Sequence, residues 1–152
     1  MKKHPMKRIQ VRHEAPSNGW LPIRLTVSGR EIVIVASDVP NNPVQELLET
    51  LESAARGSEA SVWWHLEPDG YYLRFFPIGG EIKLVLEFAA ESKACCVEDV
   101  LSIQGTRAEV LLPFWRFLRE FQSYDYSEPD WPSVDYRRIA AVREAIGISH
   151  ED

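Results

Sequence analysis

Residues 62–90 decide the fold: Val62-Trp63-Trp64-His65-Leu66-Glu67, Pro68-Asp69-Gly70, Tyr71-Tyr72-Leu73-Arg74-Phe75-Phe76, Pro77-Ile78-Gly79-Gly80, then Glu81 to Ala90. Aromatic and branched residues fill three runs, and Pro, Gly and Asp clusters separate them, which is the pattern of three consecutive antiparallel strands. Val62, Trp64 and Leu66 alternate with Trp63, His65 and Glu67; Ile82, Leu84, Leu86 and Phe88 alternate with Glu81, Lys83, Val85 and Glu87. Successive strand side chains point to opposite faces, so one face is core and the other mixed. In the middle run Tyr71, Leu73 and Phe75 alternate with Tyr72, Arg74 and Phe76. Aromatic bulk on both sides predicts that part of the outer face is covered.

Before these strands, Ile23, Leu25 and Val27 alternate with polar residues, Ser28-Gly29-Arg30 can turn, and Ile32 to Val35 returns. That is a hairpin pattern, with the second strand reading as buried on both faces. Asn42 is placed as an N-cap, Pro43 at the first helical position and Gln45 for a capping box. Val44, Leu47, Leu48, Leu51, Ala54 and Ala55 then follow helical spacing until Gly57 stops it. After residue 90, residues 94–103 add another strand, interrupted by Glu98-Asp99. Thr106 and Glu109 have capping-box spacing, but Pro113 would break a helix interior, so the helix is expected to kink there or to start there. Phe114, Trp115, Phe117, Leu118 and Phe121 form its apolar face, and Ser133 is placed to cap a last helix from Val134 to Ile146. The expectation is a single α+β domain over residues 19–148. Its antiparallel sheet has five to six strands in ββαβββ(β)αα order, with two to three helices packed on one face. Residues 1–18 read as a flexible basic arm in which Ile9-Gln10-Val11 can form a short edge strand.

A chain of 152 residues that is 45% hydrophobic and 26% charged is large enough for one core and ordinary for a globular domain. No apolar run approaches the roughly 20 residues of a membrane span, and the basic N-terminus lacks the apolar stretch of a secretory signal. A cytoplasmic protein is expected. Cys95 and Cys96 are adjacent, so on a strand they point apart; they read as thiols buried like small hydrophobes rather than as a disulfide. Residues 1–13 carry five positive charges and no acid, so removing them takes the formal charge from −6 to −11. An acidic body argues against nucleic acid and for a basic protein partner.

No Gly-rich phosphate loop, His-Glu-x-x-His helix, nucleophile elbow or metal-spaced Cys/His set occurs, so no catalytic residue, metal or cofactor is assigned. Two surfaces remain. Residues 123–132, Ser-Tyr-Asp-Tyr-Ser-Glu-Pro-Asp-Trp-Pro, form a loop with three large aromatics and three acids. Tyr124, Asp125, Tyr126, Glu128, Asp130 and Trp131 read as a binding surface for a basic partner, because Tyr and Trp bring large contact area with a polar handle. An inhibitor of a nucleic-acid enzyme, or a bacterial immunity-type protein, would use such a surface. The competing reading is that Trp131 and Tyr126 pin the loop to the core. The alternative surface is an aromatic pocket of Trp63, His65, Glu67, Tyr72 and Arg74 in a small-molecule-binding or weakly enzymatic module, His65 being the only histidine inside the expected fold. Exposed strand edges leave a homodimer open.

Overall fold

The computed structural model describes residues 8–92 and 96–148. Its strands are β1 (Ile9–His13), β2 (Trp20–Val27), β3 (Arg30–Ser37), β4 (Ala60–His65), β5 (Gly70–Ile78), β6 (Glu81–Ala89) and β7 (Glu98–Thr106). Its helices are α1 (Pro43–Ala55), between β3 and β4, then α2 (Arg107–Gln122) and α3 (Ile139–Ile148). The class is α+β, but the strands form two antiparallel sheets, β1-β2-β3 and β4-β5-β6-β7, rather than one sheet of five or six.

The sheet divides because side chains, not a backbone ladder, meet its edges. At β7 the guanidinium of Arg30 donates to the Val100 carbonyl (2.6 Å) and that of Arg8 to the Gln104 carbonyl (3.0 Å). At β4 the side chains of the α1 segment take the same part. Glu46 Oε1 accepts from the Trp63 amide, while Asn41 Nδ2 donates to the Trp63 carbonyl and Thr50 Oγ1 to that of Ser61. These side chains stand in the way of a further strand at both edges, a usual protection of exposed strand edges.

The alternation read in residues 62–90 sets the layers. Val62, Leu73, Leu86 and Leu101 stand opposite one another across β4-β5-β6-β7, as do Ala60, Phe75, Leu84 and Ile103. This inner face joins Leu21, Ile23, Leu25, Val27 and Ile34 of the first sheet and the apolar faces of the helices in one core. Burying each large side chain stabilises the fold by about 1.5–3 kcal/mol relative to exposure. Val33 on the outer face of the first sheet is 53% exposed, so β3 is buried on one face and not on both. The turn before it, Ser28 (φ 50°) and Gly29 (φ 84°), has the two positive φ values that suit a two-residue hairpin.

Local boundaries depart from expectation where distant groups intervene. β1 extends the short strand expected at Ile9–Val11 to His13, and pairs with β2 from Ile9↔Val27 to His13↔Ile23. β7 begins at Glu98 instead of being interrupted there; Val100 is an extra bulged residue, since Leu86 faces Leu101 and Glu87 faces Asp99. Cys96 is exposed and not buried, whereas Cys95 lies outside the described residues. α2 does not start at Pro113 but runs through it. The Thr106–Glu109 capping box fixes its first turn, and six buried side chains offset the roughly 3 kcal/mol cost of an interior proline. α3 starts at Ile139, not Val134. Gln45 Oε1 holds the Asp135 amide (2.7 Å) and the Asp135 carboxylate takes the Arg137 amide (3.0 Å), which keeps residues 133–136 out of the helix.

Candidate interaction surface

Asn42 is the point from which the 123–132 loop is built. Its Oδ1 caps α1 by accepting from the amides of Val44 (3.1 Å) and Gln45 (3.4 Å), and it accepts a third bond from Trp131 Nε1 (3.2 Å). The Trp131 ring is 0% exposed and meets Phe121 edge-on, with centroids 6.3 Å apart. The next residue back is fixed as well: the Asp130 carbonyl accepts from the Gly19 amide (2.9 Å) and its Oδ1 from the Asn18 amide (3.0 Å). Tyr126 is half-buried, its ring 4.9 Å from Phe121. Burial pushes the Tyr126 and Tyr136 phenols above their ordinary range.

The six residues read as one surface therefore divide. Trp131 is an anchor inside the core, and Asp130 and Tyr126 are largely used in holding the loop. Tyr124, 38% exposed, and the exposed Asp125 and Glu128 face outward. Arg137 binds Asp135, which lowers that carboxyl to about 2, and Arg138 binds Glu52, which holds the Glu52 carboxyl below its usual range. Among the described residues Asp125 and Glu128 carry no ion pair. They are uncompensated charges on a fixed loop.

The alternative group lies on the outer face of the second sheet. Trp63, 7% exposed, packs against the tilted Tyr72 ring (4.7 Å) and donates from Nε1 to His65 Nδ1 (3.0 Å). Arg74 sits over the Tyr72 ring (4.3 Å) and binds Glu87 at 2.6 Å. The aromatics themselves cover the face. Gly70 makes this possible: a Cβ there would stand 2.7 Å from the Trp63 ring and 2.4 Å from the Trp64 carbonyl. Glu67 does not share the strand face with His65, because β4 ends at His65. The Leu66 and Glu67 amides turn back to the Asp69 carbonyl, and Glu67 is exposed in that turn. Trp63, His65, Tyr72 and Arg74 are brought together as a packed cluster with mutual partners, and Glu67 is outside it.

Clefts lie elsewhere. One of about 390 Å³ runs along all of β1, from Ile9 to His13, with Pro113, Arg116 and Glu120 of α2 as its other wall. A second of about 390 Å³ lies on the outer face of the first sheet, lined by Arg12, Pro22, Arg24, Glu31 and Val33 among others. His13, placed at the chain end by sequence reasoning, belongs to the fold. Its ring packs on Phe117 (5.2 Å), Phe121 (5.3 Å) and Tyr124 (4.7 Å), so the loop and the β1 cleft are contiguous. The odd-numbered alternation Ile9, Val11, His13 was its only signal. No protein-family model matches the chain, and no curated protein or solved structure is significantly similar to it.

Proposed function

We propose that this protein is a non-enzymatic interaction domain that binds a basic protein partner through the loop around Tyr124, Asp125 and Glu128. The observation that carries the reading is the combination of a buried anchor with outward, uncompensated charge: Trp131 and Asp130 hold the loop, while Asp125 and Glu128 have no cation of their own. A loop ordered before binding avoids much of the entropic cost of association. Complementary potential speeds encounter and rejects acidic surfaces. Tyr124 supplies an aromatic contact with few rotatable bonds. An inhibitor or immunity-type protein that occupies the basic site of a nucleic-acid-acting enzyme is one instance of this behaviour.

The test is gentle purification of the tagged protein from its native host, with mass spectrometry of what accompanies it. The wild type is compared with a Tyr124→Ala, Asp125→Lys, Glu128→Lys variant, which leaves the Trp131 anchor in place. The expected result is a stoichiometric partner of high pI recovered with the wild type and lost from the variant. Equal recovery with both, or recovery of the protein alone, contradicts the proposal.

A further inference from the structure

We propose that the outer edge of β1 is a strand-addition site, at which an extended acidic segment of a partner protein pairs with Ile9, Val11 and His13 in the cleft between β1 and α2. The inference stands on residues other than the exposed loop charges and does not depend on them. The hydrogen-bond parity of β1 is set by its pairing with β2. The Ser28 amide donates to the Arg8 carbonyl (2.7 Å) and the Glu14 amide to the Pro22 carbonyl (3.1 Å), which makes the even-numbered residues the ones bonded to β2. The N–H and C=O of Ile9, Val11 and His13 therefore point away from β2. At β4 the Trp63 amide and carbonyl and the Ser61 carbonyl are met by side chains of Glu46, Asn41 and Thr50, and at β7 the Val100 and Gln104 carbonyls by Arg30 and Arg8. At β1 they open into the cleft instead, which all five strand residues line.

The walls define what fits. Pro113, Arg116 and Glu120 recur at helical spacing and form one stripe of α2 along the strand, with Ile9 and Val11 turned to the same side. An added strand lies parallel to this stripe, with alternate side chains against the helix and out over the sheet, the usual geometry of main-chain capture. Charge selects its composition. Arg12 and Arg116 are exposed and have no carboxylate partner among the described residues, whereas Arg24, opposite Arg12, is paired with Glu31. Among the described residues Glu120 is the one acid lining the cleft. An acidic segment relieves this surplus. Pairing with a second copy about Val11 would instead set the two Arg12 side chains at a diagonal position about 7–8 Å apart on one face, adding like charges.

The probe is a synthetic hexapeptide alternating glutamate and valine, acetylated and amidated, compared with one alternating lysine and valine. Amide resonances of the full-length, isotopically labelled protein are followed during titration. The expected result is that the Ile9, Val11 and His13 amides shift with the glutamate peptide, more than those of Gln10 and Arg12, and not with the lysine peptide. Val11→Pro removes an outward donor without touching the β1–β2 bonds and abolishes these shifts. Arg12→Glu with Arg116→Glu, both exposed sites, weakens binding at least tenfold and serves should the proline variant not fold. Asp125→Asn with Glu128→Gln binds the peptide as the wild type does, which separates failure of this site from failure of the loop. Equal binding of both peptides, shifts elsewhere than β1, or unchanged binding by the doubly charge-reversed variant overturns the proposal. So does a dimer in sedimentation that Val11→Pro converts to monomer, since the edge would then belong to a second copy.

Discussion

Replacing Trp131 tests whether the acidic loop is fixed from beneath. The ring is fully enclosed, packs on Phe121 and donates to Asn42. Truncation to alanine removes nearly the whole side chain from a close-packed site, and such Trp→Ala changes cost about 3–5 kcal/mol. Against a total stability of about 5–15 kcal/mol this is a large share. For a chain of this size it lowers Tm by roughly 6–20 °C, at about 2–4 °C per kcal/mol. Trp131→Phe separates packing from hydrogen bonding. Asn42 Oδ1 keeps two backbone donors when the indole is gone, so it is not orphaned, and the variant costs only about 1–2 kcal/mol. Tyr124→Ala, at the exposed end of the same loop, costs within about 1 kcal/mol. Urea denaturation followed by far-UV circular dichroism measures all three. A Trp131→Ala cost below about 1 kcal/mol, or a Tyr124→Ala cost equal to it, would refute the division of the loop into anchor and contact residues.

Other substitutions probe the parts that position it. Asn42→Ala removes the α1 cap and the Trp131 acceptor together and is expected to cost about 1–2 kcal/mol in the same denaturation assay. Gly70→Ala forces a Cβ into the Trp63 ring and the Trp64 backbone, at a cost of about 1–3 kcal/mol, with a blue- or red-shift of tryptophan emission as the ring moves. Burial raises the pKa of Glu46, so the folded state binds its proton more readily than the unfolded state does. Its contribution to stability is full below the ordinary carboxylate range and declines as pH rises through the raised value. Glu46→Gln keeps the acceptor for the Trp63 amide, and comparison of the two proteins' stability from pH 4 to 8 should show the variant gaining relative to wild type as pH rises.

Much of the fold was legible because its signals are local. The Asn42 cap with Pro43, the positive-φ turn at Ser28-Gly29 and the period-two alternation of Val62, Trp64, Leu73 and Leu86 all depend on near neighbours, and each occurs where the residues place it. The division into two sheets was not legible, since it rests on Arg8 and Arg30 reaching carbonyls 96 and 70 residues away. Long-range bonds also decided the start of α3, where Gln45 holds Asp135 across 90 positions. In the 123–132 loop the residue types allowed for aromatics that pin the loop to the core, but did not show which of them does so. Trp131 and Tyr124 are both aromatics beside acids, and only the reach of the indole to Asn42 separates them. His13 escaped notice because a five-residue edge strand in a basic stretch resembles a tail until its partner strand is known.

The central claim is that Tyr124, Asp125 and Glu128 form the contact surface for a basic partner, and an affinity measurement tests it most directly. Calorimetric titration of the partner recovered by capture, against wild type and the Tyr124→Ala, Asp125→Lys, Glu128→Lys variant with matched thermal stability, is expected to show at least a hundredfold loss, equivalent to about 2.7 kcal/mol. Wild-type affinity should also fall as salt rises, as screened charge pairs require. Affinities within twofold of each other would contradict the account and place the binding surface elsewhere on the molecule.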